Sequence, residues 1–137
     1  MRILYLEEYD DKYQDMMNAI SDAIYPDTPK IFRTSRKTNC KILLEDAARN
    51  NVPYDLLIIG FEPQYDKNNT EWFIRDTLRR LYHKTKGYDI PIIIFTSDKY
   101  EAQNDNITVI QYNSDTWIND VKNFFIKQKQ NEVIYYA

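Results

Sequence analysis

The stretch Pro53-Tyr54-Asp55-Leu56-Leu57-Ile58-Ile59-Gly60 decides how the rest of the chain is read. Its four consecutive apolar residues show no polar alternation, so both faces of the segment must be covered, as in a central strand of a parallel sheet. Outward from it, Ile90 to Phe95 has the same continuous apolar character, and Arg2 to Leu6, Lys30 to Thr34 and Ile107 to Gln111 supply three more short strands. The intervening segments carry a helical period. Tyr13, Met16, Met17, Ile20 and Ile24 make the inward stripe of a first helix that Pro26 and Pro29 end. Cys40, Leu43, Leu44, Ala47 and Ala48 do the same for a second, closing near Asn50 and Asn51. Thr70 is the expected N-cap of a third helix with Ile74, Leu78 and Leu81 inward and Gly87 at its end. Ser114 or Asp115 caps a last helix whose inward residues are Trp117, Ile118, Val121, Phe124 and Phe125. Asp98 to Asn106 is polar, so the fourth crossover helix is expected to be short or irregular.

Strands alternating with helices, at 137 residues and 43% hydrophobic content, describe one α/β domain with one core. The expected architecture is a flavodoxin-like three-layer sandwich, a five-stranded parallel sheet in the order 2-1-3-4-5 with helices on both faces. The domain is expected to span residues 1–129, leaving 130–137 as a C-terminal apolar tail. The 18 basic and 21 acidic residues give a net charge of -3, which provides no global field for nucleic acid or anionic lipid. A single cysteine, Cys40, excludes an internal disulfide and fits a reducing compartment. Glu7, Glu8, Asp10 and Asp11 interrupt the place where a secretory signal would be apolar. A cytoplasmic protein with no membrane association is the expectation.

In such sheets ligands meet the carboxyl ends of the strands. That rim would collect Glu7 and Glu8, Gly60 to Glu62, Thr96 and Ser97, and Gln111 to Asn113. With this pattern the chain resembles, over nearly its whole length, the receiver domain of two-component response regulators. Ile3-Leu4-Tyr5-Leu6-Glu7-Glu8 is similar to that family's first strand with its acidic pair, and Pro53 to Ile59 to the strand leading to the phosphorylated aspartate. Ile90-Pro91-Ile92-Ile93-Ile94-Phe95-Thr96-Ser97 is similar to the fourth strand with its terminal hydroxyl residue, matched by Thr96, and Pro63 lies near the family's proline. Against this pattern the phosphoacceptor position is Gly60, the lysine-proline pair after the fifth strand is matched by Gln111 and Tyr112, and the aromatic switch by Thr108. Phosphorylation needs a carboxylate nucleophile beside a metal held by other carboxylates, and Gly60 supplies none. The resemblance therefore implies a pseudo-receiver: not an enzyme, with no catalytic residues, acting by phosphorylation-independent contact with a protein partner. A homodimer through the face of the fourth helix, fifth strand and fifth helix is the form it suggests, with Tyr112 and Trp117 near that face.

Each candidate also has a plainer reading. Adjacent acids at a strand end are commonly solvated, so Glu7 and Glu8 are expected in water ahead of a cation site; no cofactor is expected, and Mg2+ is the ion they would suit. Glu62 would reach the rim only if the loop 61–69 folded back. Gly60, one of two glycines, indicates positive φ or a close approach of another group, with a tight turn as the minimal explanation. Cys40 is expected to be a buried structural thiol, and His83 a surface residue. Tyr135 and Tyr136 lie in a tail expected to pack on the domain, pair with a sheet edge or dock a partner. Two other functions stay open: cation-dependent phosphotransfer or small-ligand binding at the rim, and nucleic-acid binding by the basic residues Arg75, Arg79 and Arg80 or Arg33, Arg36, Lys37 and Lys41.

Overall fold

The computed structural model describes residues 1–60, 90–97, 99–101 and 107–136, with side chains described as far as residue 130. Their elements run β1 (Arg2–Leu6), α1 (Asp10–Ile24), β2 (Lys30–Thr34), α2 (Lys37–Arg49), β3 (Leu56–Gly60), β4 (Ile92–Thr96), β5 (Ile107–Gln111) and α3 (Trp117–Tyr136). The expected third helix, with Thr70, Arg75, Arg79, Arg80 and His83, lies outside the described residues, as do Glu62, Pro63 and most of the Asp98–Asn106 segment.

The five strands form one sheet in the order β2-β1-β3-β4-β5, all pairs parallel. This is the flavodoxin-like order. The continuous apolar runs behave as both-sided strands because successive residues point to opposite faces. Leu4, Leu6, Leu57, Ile59, Ile92 and Ile94 face α2 with Cys40, Leu44 and Ala47. Ile3, Tyr5, Leu56, Ile58, Ile93 and Phe95 face α1 and α3, meeting Met16, Ile20, Val121 and Phe125. Burying such a side chain contributes about 1.5–3 kcal/mol, so the two cores are what holds the layers together.

Helix ends follow local chemistry. Asp10 and Asp11 place negative charge in the first turn of α1, where the helix dipole favours it, and the chain leaves the helix in extended conformation at Tyr25, ahead of Pro26. At the end of α2 the Val52 N–H donates to Ala47 O at 3.0 Å and the Asn51 N–H to Ala48 O at 3.3 Å, with Asn51 at φ 56°. This is a Schellman closure with asparagine in the left-handed position. Ahead of α3, Ser114 Oγ accepts from the Thr116 N–H at 3.3 Å.

Two sequence expectations change. Ile118, expected inward, is 48% exposed, because Trp117 and Val121 take the inward positions on either side of it. The backbone of α3 continues helical to Tyr136, so Tyr135 and Tyr136 prolong the helix instead of forming a separate tail after residue 129; their side chains lie outside the described residues.

Replacing Ile58 by Ala should lower unfolding free energy by about 2–5 kcal/mol, through lost burial and the cavity left. Ile118→Ser should stay within about 0.5 kcal/mol. Urea denaturation of the two variants measures both.

Candidate functional site

The sheet order places a switch point between β1 and β3, from which successive connections run in opposite directions. A crevice opens at the carboxyl ends of strands at such a point, and it is the usual ligand site of open α/β sheets. Here Glu7, immediately after β1, and Gly60, the last residue of β3, border it. Gly60 is in register with Phe95 on β4, and Thr96 with Gln111 on β5, which completes the rim.

Glu7 is not solvated. It is 1% exposed, whereas Glu8 beside it is exposed. The sheet pleat explains the split: Glu7 continues the alternation of Ile3 and Tyr5 toward α1, and Glu8 lies beyond the strand. The Glu7 carboxylate fills the space that a side chain at residue 60 would take. A Cβ built on Gly60 would lie 2.2 Å from Glu7 Oε1 and 2.6 Å from its Cδ. The glycine therefore accommodates the close approach of this carboxylate and does not serve a left-handed backbone.

A buried carboxylate needs a partner, and the partner is Lys12, 4% exposed in the first turn of α1. Its Nζ lies 3.5 Å from Glu7 Oε1, donates to Phe95 O at 2.8 Å, and stands 5.2 Å from the Phe95 ring centroid. Longer contacts complete the carboxylate's surroundings, the Tyr5 hydroxyl donating to Oε1 and the Tyr9 N–H to Oε2, each at 3.4 Å. The main chain of Glu7 is held as well. Its N–H donates to Thr34 O at 2.9 Å, and its carbonyl accepts from Arg33 Nε and Nη2 at 3.3 and 3.2 Å. Arg33 is also paired with Asp10 at 2.6 Å and covers the Tyr13 ring at 4.4 Å. Burial pushes the Glu7 carboxyl above the ordinary glutamate range, and the Lys12 ammonium opposes that shift. Burial, and then the Glu7 charge, also push the Tyr5 hydroxyl upward.

The rim continues into an aromatic group. The Phe95 ring meets Tyr112 and Trp117 at centroid distances of 5.1 and 5.3 Å, and those two meet each other at 5.6 Å. The Tyr112 N–H donates to Thr96 O at 2.8 Å, and its hydroxyl donates to Asp15 on α1. That bond, more than burial, pushes the Tyr112 hydroxyl up to about 12. Lys12 and Asp15, three residues apart, thus fasten one face of α1 to the ends of β4 and β5.

Of the sequence candidates, Glu7, Gly60, Thr96, Gln111, Tyr112 and Trp117 gather along this rim. Glu8 faces water, and Thr96 is fully buried at the end of β4. Lys12 was not among the candidates, although it falls on the i, i+4, i+8 stripe with Met16 and Ile20 and so could have been read as inward. The site does not suit a divalent cation. Glu7 is committed to an ammonium, Gly60 offers no oxygen beyond its backbone, and among the described residues no three His, Cys, Asp or Glu side chains converge to hold a metal. Elsewhere, Cys40 is fully buried, which pushes its thiol up to about 12. A pocket of about 390 Å³, lined by Met1, Asp27, Asp55, Phe125 and Lys129 among others, lies at the amino ends of the strands, away from the rim. Among the described residues no helix is long and apolar enough to cross a membrane. No family model, curated protein or solved structure matches the chain.

Two outcomes follow from the geometry. Gly60→Ala should displace the Glu7 carboxylate from Lys12 and destabilise the fold by about 3 kcal/mol, the usual consequence of leaving a buried charge without its partner. In a double-mutant cycle, Gly60→Ala should cost little further in a Glu7→Ala background, itself destabilised, since the colliding group is already gone. The second concerns pH. A carboxyl whose folded pKa lies above its ordinary 4.5 binds its proton more readily in the folded chain. Its contribution to stability is complete below that value and declines as pH rises through the folded pKa. Glu7→Gln should remove this part of the decline, measured as the difference between urea midpoints of the two proteins across pH 4 to 8.

Proposed function

We propose that this chain is a non-catalytic, pseudo-receiver-type regulatory module that acts by phosphorylation-independent protein-protein contact. The observation that carries this reading is the Glu7 carboxylate lying where a side chain at residue 60 would be. A phosphoacceptor must present a carboxylate toward solvent and a phosphodonor. Position 60 has none, and among the described residues the carboxylate beside it, that of Glu7, is buried against Lys12.

Contact with a partner is assigned to the surface beside Tyr112 and Trp117. These rings are partly exposed over Phe95, and Ile118 and Ile126 on α3 are exposed apolar residues of the same helix. By the receiver resemblance this is part of the dimerising face, so a second copy of the chain is the first partner to test. The other readings gain no comparable support. Phosphotransfer would need the Glu7 carboxylate that Lys12 holds, and Arg33 of the basic cluster is engaged with Asp10 and the Glu7 carbonyl.

Treatment with acetyl phosphate and Mg2+ should leave the intact mass of the protein unchanged. Sedimentation velocity over a concentration series should show self-association that the donor does not alter and that Ile118→Glu weakens at least tenfold. A phosphoryl adduct, or association that appears only with the donor, would sink the proposal.

A further inference from the structure

The buried lysine raises a question that the missing nucleophile does not answer, namely why an ammonium should lie at a strand-end crevice. Its environment is one of converging oxygens. Phe95 O, at the carboxyl end of β4, accepts from Lys12 Nζ at 2.8 Å, and Glu7 Oε1 lies 3.5 Å away. A carboxylate and a main-chain carbonyl are the hard donors that a divalent cation takes. Both converge here on a nitrogen that is carried into the site by the chain.

We propose that the Lys12 ammonium is the resident cation of the rim, a tethered charge in the place that a divalent ion would take beside Glu7. The inference rests on the receiver-type reading of the rim and adds what neutralises it. Three features favour a fixed cation. Lys12 stands in the first turn of α1 and its Nζ reaches the Phe95 carbonyl and Glu7, so the charge is supplied by the chain itself and needs no entry path from solvent. The Glu7 carboxylate is buried beside Gly60 whereas Glu8 is exposed, so the two acids sit in different surroundings. The Phe95 ring, 5.2 Å from Nζ, presents a π face that suits an ammonium and supplies no ligand to a hard dication. Charge at the rim is then independent of magnesium concentration, because a tethered cation has no binding equilibrium to obey.

The proposal predicts a site that becomes open to cations only when the tether is cut. Wild-type protein titrated with MgCl2 should show no saturable shift of the Glu7, Gly60 or Phe95 amides by NMR. Lys12→Ala should lower the folding equilibrium constant on the order of 100-fold or more, since it leaves a buried carboxylate alone. Saturating Mg2+ or methylammonium should recover at least tenfold of that loss. The recovery should vanish in Glu7→Gln/Lys12→Ala, which keeps the cavity and lacks the charge. If Lys12→Ala does not fold alone, refolding in the presence of either cation replaces the stability readout. Saturable Mg2+ binding at Glu7 in the wild type overturns the inference, and so does a Lys12→Ala protein indifferent to both cations. Either result is distinct from failure of the regulatory reading, which shows as a phosphoryl adduct.

Discussion

The buried pair of Glu7 and Lys12 is the constraint on which the carboxyl rim depends. Each partner alone would be an ionised group held out of water, which no packing arrangement tolerates cheaply. Together they draw three elements to one point. Glu7 continues β1, Lys12 begins α1, and the carbonyl that Lys12 also binds belongs to Phe95 at the end of β4. Gly60 of β3 is the fourth participant, and its part is to have no side chain. The glycine, the acid and the lysine therefore form one unit. A side chain at 60 would collide with the carboxylate, and loss of Lys12 would leave that carboxylate without its ammonium.

The same unit explains the arrangement around it. Phe95 is held by its carbonyl from Lys12, and its ring carries Tyr112 and Trp117. Tyr112 returns to α1 through Asp15, one helical turn beyond Lys12. The first turns of α1 are consequently fixed to the sheet and the segment after β5 by polar contacts of Asp10, Lys12 and Asp15, in addition to the apolar packing of Met16 and Ile20. Movement of the pair would be felt at Phe95, and from there at the partly exposed rings. This places the proposed contact surface one residue away from the buried charges, coupled to them through a packed aromatic side chain.

Much of the fold could be read from the chain because its strands are covered on both faces. Leu56 to Ile59 and Ile92 to Phe95 carry no polar residue to confuse the assignment, and the helical stripes of α1 and α2 are interrupted cleanly by Pro26 and by Asn50-Asn51. Ile118 misled the reading because it lies between two inward residues in sequence, and an α-helix turns 100° between neighbours. The site was less legible. Gly60 pointed to positive φ, a close approach or a tight turn without deciding among them, and the group that approaches it, Glu7, lies 53 residues earlier in the chain. Glu7 looked solvated because an acidic pair says nothing about which member the pleat turns inward. Lys12 drew no reading, since lysines are rarely buried; only its place on the Met16 and Ile20 stripe marked it.

Stability alone is a poor explanation for such a pair. Removing two charges from water costs several kcal/mol per ion, and apolar residues of the same shape often do as well or better. What an apolar pair lacks is direction. Leucine in place of Glu7 would pack against Gly60 in several rotamers and would have no reason to hold the Phe95 carbonyl or the start of α1. The carboxylate and ammonium admit few geometries, because each must face the other and each must use its remaining hydrogen-bonding capacity within the same small space. A crevice filled by an obligatory pair also cannot be filled by a ligand that competes weakly for either partner. The pair thereby favours one shape of the rim, which suits the proposed phosphorylation-independent contact surface.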